Sequence, residues 1–247
     1  MPKAVRRLAA VGAAVGLTAA AAACGVGTEH RSVAPLAQIS VSNAAAQNGI
    51  ADLEPAKALQ ESIAAMESTG SYRVSGTTTS GNTIDIAFDV GVGSTGVINT
   101  GNPMRILAAD GSVYVSGDAD SMSALVGSDA DETIAGKWML ITPDSDSGFD
   151  IFADGATFAE AVLGAGAPAT MTGVAEVDGR LAVGLLFPET GGTLWVAAIG
   201  EPLPLRFEEK GASAGKGILT FADFGAEVAI EPPAEKELLD VDQLPSE

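Results

Sequence analysis

The sequence predicts a mainly β domain with a few helices, and three observations carry that prediction. Short runs alternate apolar and polar residues with a period of two, turn-forming pairs separate those runs, and interior stretches in two places switch to helical spacing. The clearest alternation sets Ile84, Ile86, Phe88 and Val90 against Asp85, Ala87 and Asp89. Leu181, Val183, Leu185 and Phe187 alternate with Ala182, Gly184 and Leu186, and Leu203, Leu205 and Phe207 with Pro204, Arg206 and Glu208. Ser80-Gly81-Asn82, Asp110-Gly111, Asp178-Gly179 and Gly191-Gly192 mark the turns. About eleven or twelve strands fit between Ser71 and Ile230, and hairpins in sequence give an antiparallel sheet.

The N-terminal residues read as an address. Lys3, Arg6 and Arg7 precede an uncharged run, Leu8 to Ala23, of mostly Ala and Gly. Its 16 residues are too few to span a bilayer, which takes about 20, and fit a secretory signal. Ala21-Ala22-Ala23-Cys24-Gly25, with Leu17 upstream, resembles a bacterial lipobox, in which the Cys is acylated and becomes the new N-terminus. Ala21 departs from the commoner Leu. The competing reading is a plain A-x-A cleavage site with an adjacent Cys, but Cys24 is the one Cys in the chain and sits where the lipobox needs it. A diacylglyceryl group supplies two chains, the number expected for stable anchoring.

The expected organisation is a signal peptide over 1–23, a tether over 24–50, a domain over 51–233 and an acidic tail over 234–247. Removing the signal peptide with its three cations takes the formal charge from −19 to −22, which repels anionic headgroups. The tether is small and polar, without a sustained period, and as a random coil reaches about 28 Å. After it, Pro55 suits a first helical turn, Leu59, Ile63 and Met66 recur at helical spacing, and Gly70 closes the helix. Two later stretches interrupt the β pattern. Asp118 to Gly136 is acidic with Met122, Leu125 and Val126; Phe149 to Leu163 carries Phe149, Phe152, Phe158, Val162 and Leu163, with Thr157 and Glu160 at capping-box spacing. Their apolar faces have to cover something. Pro232-Pro233 ends the last expected strand, and the tail reads as a surface strap or frayed end.

Composition excludes several functions. His30 and Cys24 are the only residues of their types, so neither a His-rich metal site nor an internal disulfide is available. The acidic balance, 32 Asp+Glu against 13 Lys+Arg, removes the basic footprint that nucleic acid needs. Apolar residues at 47% place the chain outside the disordered class.

Three motif matches fail in context. Gly91-Val92-Gly93-Ser94-Thr95-Gly96 satisfies G-x-G-x-x-G, but Val97-Ile98-Asn99-Thr100 continues as a strand where a dinucleotide site needs a helix. Gly211-Ala212-Ser213-Ala214-Gly215 satisfies G-x-S-x-G, but a strand follows and the single His lies in the tether, so Ser213 is a loop residue. Asp144, Asp146 and Asp150 loosely resemble a calcium loop without its full ligand pattern and read as a solvated acidic turn. No catalytic residue, metal or cofactor is assigned, and the chain is read as non-enzymatic.

The order of features resembles the LppX/LprA/LprF/LprG lipoproteins of actinobacteria, which share a fold with the periplasmic carrier LolA. The resemblance rests on the lipobox at Cys24, the helix-then-strand start from Ala56 to Val74, and Gly136-Lys137-Trp138-Met139-Leu140. It continues through Asp178-Gly179-Arg180 to Leu194-Trp195-Val196, Gly200-Glu201-Pro202-Leu203-Pro204-Leu205-Arg206 and Thr220-Phe221-Ala222-Asp223-Phe224-Gly225, closing with Val228-Ala229-Ile230-Glu231-Pro232-Pro233. It covers roughly Ala51 to Pro233, and its motifs are structural rather than catalytic.

The resemblance implies a strongly curved antiparallel β half-barrel with helices covering its concave face. Between sheet and helices it implies an apolar cavity for the acyl chains of a lipid or glycolipid, carried within the cell envelope. Ile84, Ile86, Phe88, Leu185, Leu205, Phe207 and Phe221 are the inward candidates, for each of which ordinary core packing is the competing reading. Trp138, Phe152 and Phe158 are the choice for the mouth, since segments covering a cavity must open to admit a chain. Arg73, Arg105, Lys137 and Arg206 are scattered rather than clustered, which favours a neutral lipid or glycan. The expected partners are that ligand and, through the N-terminal acyl anchor, the extracytoplasmic face of the membrane. There is room for an envelope transporter, no role for nucleic acid, and a monomer is expected. The alternative is a ligand-free scaffold or protein-binding lipoprotein, whose acidic face from Asp118 to Glu132 would meet a basic partner. An enzyme on the same fold is a distant third.

Overall fold

The computed structural model describes residues 47–126, 134–141, 148–163, 168, 170–189, 191–210 and 216–239. Its frame is one antiparallel sheet of eleven strands. They are β1 (Ser71–Thr77), β2 (Thr83–Asp89), β3 (Gly93–Asn99), β4 (Pro103–Ala109), β5 (Ser112–Gly117), β6 (Met139–Ile141), β7 (Thr170–Val177), β8 (Arg180–Phe187), β9 (Gly192–Ala197), β10 (Pro204–Lys210) and β11 (Lys216–Ala222). The order across the sheet is β6-β5-β4-β3-β2-β1-β11-β10-β9-β8-β7. Two meanders therefore run outward from the centre, where the first and last strands pair. The Asp-Gly pairs serve as read: Asp110, Gly111, Asp178 and Gly179 all have positive φ, as a two-residue hairpin turn requires. Gly91 also has positive φ and β3 begins at Gly93, so the G-x-G-x-x-G stretch is a hairpin.

The sheet is open, with edges at β6 and β7, and it is curled. Eleven strands laid flat at about 4.8 Å would span about 48 Å. Yet one continuous buried cluster takes in Val115 of β5, Val74 of β1 and Leu185 of β8. Helical segments fill the concave side: a 3-10 turn (Ile50–Asp52), α1 (Pro55–Ser68), a second 3-10 turn (Phe149–Phe152) and α3 (Gly155–Leu163); α2 (Ala119–Val126) packs beside β5. The Ile50–Asp52 turn touches β7, and the Phe149–Phe152 turn touches β5 near the other edge. Topology explains this cover. β6 and β7 follow one another in the chain but lie on opposite edges, so the connection between them has to cross the sheet, and the concave side is where its apolar residues find burial.

Glycines permit the curl. Gly76 and Gly96 are inward positions, paired with Ile84 and Ile86 respectively in the ladder. A Cβ on Gly76 would lie 1.9 Å from the Ile218 carbonyl oxygen, and one on Gly96 would lie 2.6 Å from Ile86 Cα. Glycine inside a strand marks such a close approach of neighbouring backbone.

Several sequence expectations shift. The packed chain begins by Gln47, which bridges Ile199, and Asn48 Nδ2 donates to the Ala197 and Gly200 carbonyls. Asp154, not Thr157, caps α3: its Oδ1 accepts from the Ala156 and Thr157 amides at 2.7 and 3.2 Å. Val228 to Ile230 form no strand, because β11 already lies between β1 and β10 and the free edges are far across the sheet. The chain instead returns past Ser71, whose hydroxyl donates to the Ala226 carbonyl. The tail then straps β6: Leu238 pairs with Trp138 in parallel, and Lys137 Nζ donates to the Lys236 carbonyl at 2.7 Å. Cys24, His30, Asp144, Asp146 and Ser213 lie outside the described residues.

Candidate functional site

The space between sheet and cover is built from alternate strand residues. Val74 faces Ile86 on one side and Phe221 on the other, and Phe207, Leu194 and Leu185 form the corresponding row across β10, β9 and β8. All six are buried in the main core. From α1 the buried stripe is Ala58, Leu59, Ser62 and Met66.

A chain of rings fills the space under the first half of the cover. Tyr72 stacks on Phe88 at 5.1 Å, Phe88 meets Phe158 at 4.9 Å, and Phe158 lies 6.0 Å from Phe152. Two buried hydrogen bonds clamp the cover to these strands: Tyr72 Oη donates to the Gly155 carbonyl and Ser94 Oγ to the Phe152 carbonyl, each at 2.6 Å. Burial pushes the Tyr72 pKa well above the ordinary 10.0, with Asp154 and Glu67 adding to the shift. The clamp is therefore a neutral phenol.

Replacing Tyr72 by Phe removes the phenol hydrogen bond to the buried Gly155 carbonyl, so a loss of about 0.5–1.5 kcal/mol is expected in urea unfolding. The raised pKa also sets a pH window. Stability from the neutral phenol is complete below pH 10.0 and lost as pH rises toward the folded-state value. The alkaline decline in stability should accordingly be shallower in Tyr72→Phe than in the wild type.

Beyond the rings the interior opens. A pocket of about 280 Å³ lies between the last turn of α3 and the ends of β1, β10 and β11. Ala161, Val162, Phe207 and Leu219 form its walls, with Thr77, Thr78, Glu209 and Gly217 around them. That volume is near the lower end of small-molecule sites, about 300–1,000 Å³.

The sequence-derived candidates divide among these environments. Phe207 lines the pocket. Ile86, Phe88, Leu185 and Phe221 are buried core, and Ile84 packs against it half-buried. Phe152 and Phe158 sit inside the ring stack rather than at an opening. Leu205 leaves this row: a register shift between Pro204 and Arg206 places it in a separate cluster with Val177, Ala182 and Ala197, against Trp195. Trp138 is half-buried with the Arg105 guanidinium 4.6 Å from its ring centroid, beside the C-terminal strap. Leu219 was legible as the alternate partner of Phe221. Ala161 and Thr78 carried no sequence signal, because neither is apolar enough to stand out from its neighbours.

Among the described residues, no group of three or more His, Cys, Asp or Glu is placed to hold a metal. Among the described residues, two ionisable groups besides Tyr72 are perturbed. The Asp85 carboxylate holds the Arg73 guanidinium charged, and hydrogen bonds from Ser121 hold Asp118 below the usual carboxylate range. Neither residue lines the pocket. Among the described residues, no helix is long and apolar enough to cross a membrane.

No family model and no curated protein matches the chain. Among solved structures it is similar to the crystal structure of LprF from Mycobacterium bovis, at 16% identity over 73% of this chain and 97% of that chain, with a TM-score of 0.47.

Proposed function

We propose that this protein is a non-enzymatic lipoprotein, anchored through Cys24 on the extracytoplasmic face of the membrane. It would bind acyl chains of a lipid or glycolipid beneath its helical cover and carry them within the cell envelope. The observation that carries this reading is the pocket walled by Ala161, Val162, Phe207 and Leu219, which continues an apolar core and opens to solvent at the end of α3. Burying an acyl chain there is driven by about 0.8 kcal/mol per methylene. The pocket admits the end of a chain as it stands, and a longer segment requires α3 to move off the sheet.

A second reading is favoured by the ring stack. Tyr72, Phe88, Phe158 and Phe152 fill the interior under the first half of the cover, as a scaffold without ligand would have it.

Mass spectrometry of the full chain recovered from its own envelope separates the two. The carrier reading expects a diacylglyceryl-modified Cys24 at the N-terminus and a second lipid that organic solvent releases. Ala161→Trp, an exposed wall position, should keep the first and lower the second by about tenfold. A modified N-terminus with no releasable lipid, even after incubation with total host lipids, would leave the scaffold.

A further inference from the structure

The pocket's lining is largely apolar and includes one acidic side chain. Glu209 and Thr78 line it beside Phe207 and Leu219. Glu209 is half-buried, and its ladder partner is Gly217, which has no side chain to cover the carboxylate. Among the described residues, no cation forms an ion pair with Glu209, whereas the adjacent Glu208 lies 3.2 Å from Arg206 Nη1. Lys216 lines a neighbouring depression in which Glu208 and Glu209 also take part. The Thr78 hydroxyl is buried and has no hydrogen-bond partner. Among the described residues, a buried hydroxyl without a hydrogen-bond partner and a carboxylate without an ion pair thus line one apolar pocket.

We infer that Glu209 and Thr78 select the headgroup of the bound lipid, accepting an uncharged, hydroxyl-bearing headgroup and rejecting an anionic one. The inference rests on the proposal that the pocket takes an acyl chain. A carboxylate accepts hydrogen bonds from hydroxyls, and a threonine hydroxyl both donates and accepts, so together they match a glycerol or sugar. A phosphate in the same place meets an unpaired carboxylate at reduced dielectric, the kind of repulsion by which sites discriminate between similar ligands.

The test uses two probes with identical chains. The full chain is incubated in phosphatidylcholine vesicles holding equal amounts of dioleoylglycerol and dioleoylphosphatidic acid, re-isolated, and its bound lipids are quantified. The wild type should retain the neutral lipid over the acidic one by about tenfold. Glu209→Gln should bring that ratio near one and Glu209→Lys should invert it, while Thr78→Val should lower retention of the neutral lipid without raising that of the acid. High salt should narrow the wild-type ratio and leave that of Glu209→Gln unmoved, which a steric filter would not do. Should the lysine variant fail to fold, the nearly isosteric glutamine variant still reads the ratio. Equal retention by the wild type, or a ratio unmoved in both Glu209 variants, overturns the filter and leaves the carrier standing. Retention of neither lipid removes both.

Discussion

Gly96→Val is expected to abolish or nearly abolish the folded domain. A Cβ at this position would lie 2.2 Å from the Asp85 carbonyl oxygen, 2.6 Å from Ile86 Cα and 2.9 Å from Ile86 Cγ1. Two of these are backbone atoms of the adjacent strand, which cannot yield without opening the β2–β3 ladder where Asp85 pairs with Val97 and Ile86 with Gly96. Overpacking a core with room to relax costs about 1–3 kcal/mol, and here the backbone itself must move, so the cost exceeds that range. For a domain of this size each kcal/mol shifts Tm by about 2–4 °C, and a fall of at least about 10 °C, or insoluble protein, is the expected result. Gly173→Ala is the control, since a Cβ there meets nothing within 4 Å. It should leave Tm unchanged or slightly raised, through the unfolded state. If Gly96→Val melted within about 2 °C of the wild type, the strands could not approach as closely as described.

What the sequence made legible follows the range of the interactions involved. The Ile84 to Val90 alternation, the Asp-Gly turns and the Pro55 start of α1 are set within a few residues, and each lies where period and turn chemistry placed it. Asp154 and Thr157 both satisfied the residue preference of a helix cap, and local pattern alone could not choose between them. Leu205 is harder still. Its alternation with Leu203 and Phe207 is real in the sequence, but one irregularity between Pro204 and Arg206 sends it to another cluster. Val228 to Ile230 have strand composition and no strand, because the vacancy they would need lies at β6 or β7. That fact belongs to the whole sheet and to no local window.

The candidate site was less legible than the fold for the same reason. Its apolar walls draw on α3, β10 and β11, and Thr78 and Gly217 bring in the turn after β1 and the start of β11. A pocket at such a junction is defined by what fails to fill it. Ala161 and Gly217 contribute by being small, and small residues at exposed or turn-adjacent positions look alike whether or not a space lies beside them.

Phe88→Ala is expected to cost about 3–5 kcal/mol, the range for emptying a fully buried aromatic position. Phe88 has no exposed surface and touches rings on both sides, Tyr72 on the sheet and Phe158 on the cover. Its removal deprives α3 of its central contact and leaves a void lined by apolar atoms. A dry apolar void of that kind binds apolar molecules, and a ligand at a hundred times its Kd returns about 2.7 kcal/mol. The urea midpoint of Phe88→Ala should therefore fall steeply and recover in part when a small apolar ligand such as benzene is added, with little change in the wild type. Phe88→Leu, which keeps most of the volume, should fall less and recover less. A loss below about 1 kcal/mol in the alanine variant would mean that the ring stack is not what joins cover to sheet. The magnitude also bears on transport. If the rings hold α3 this firmly, a carrier needs the α3 end beside Ala161 and Val162, where the pocket already lies, to be the part that gives way.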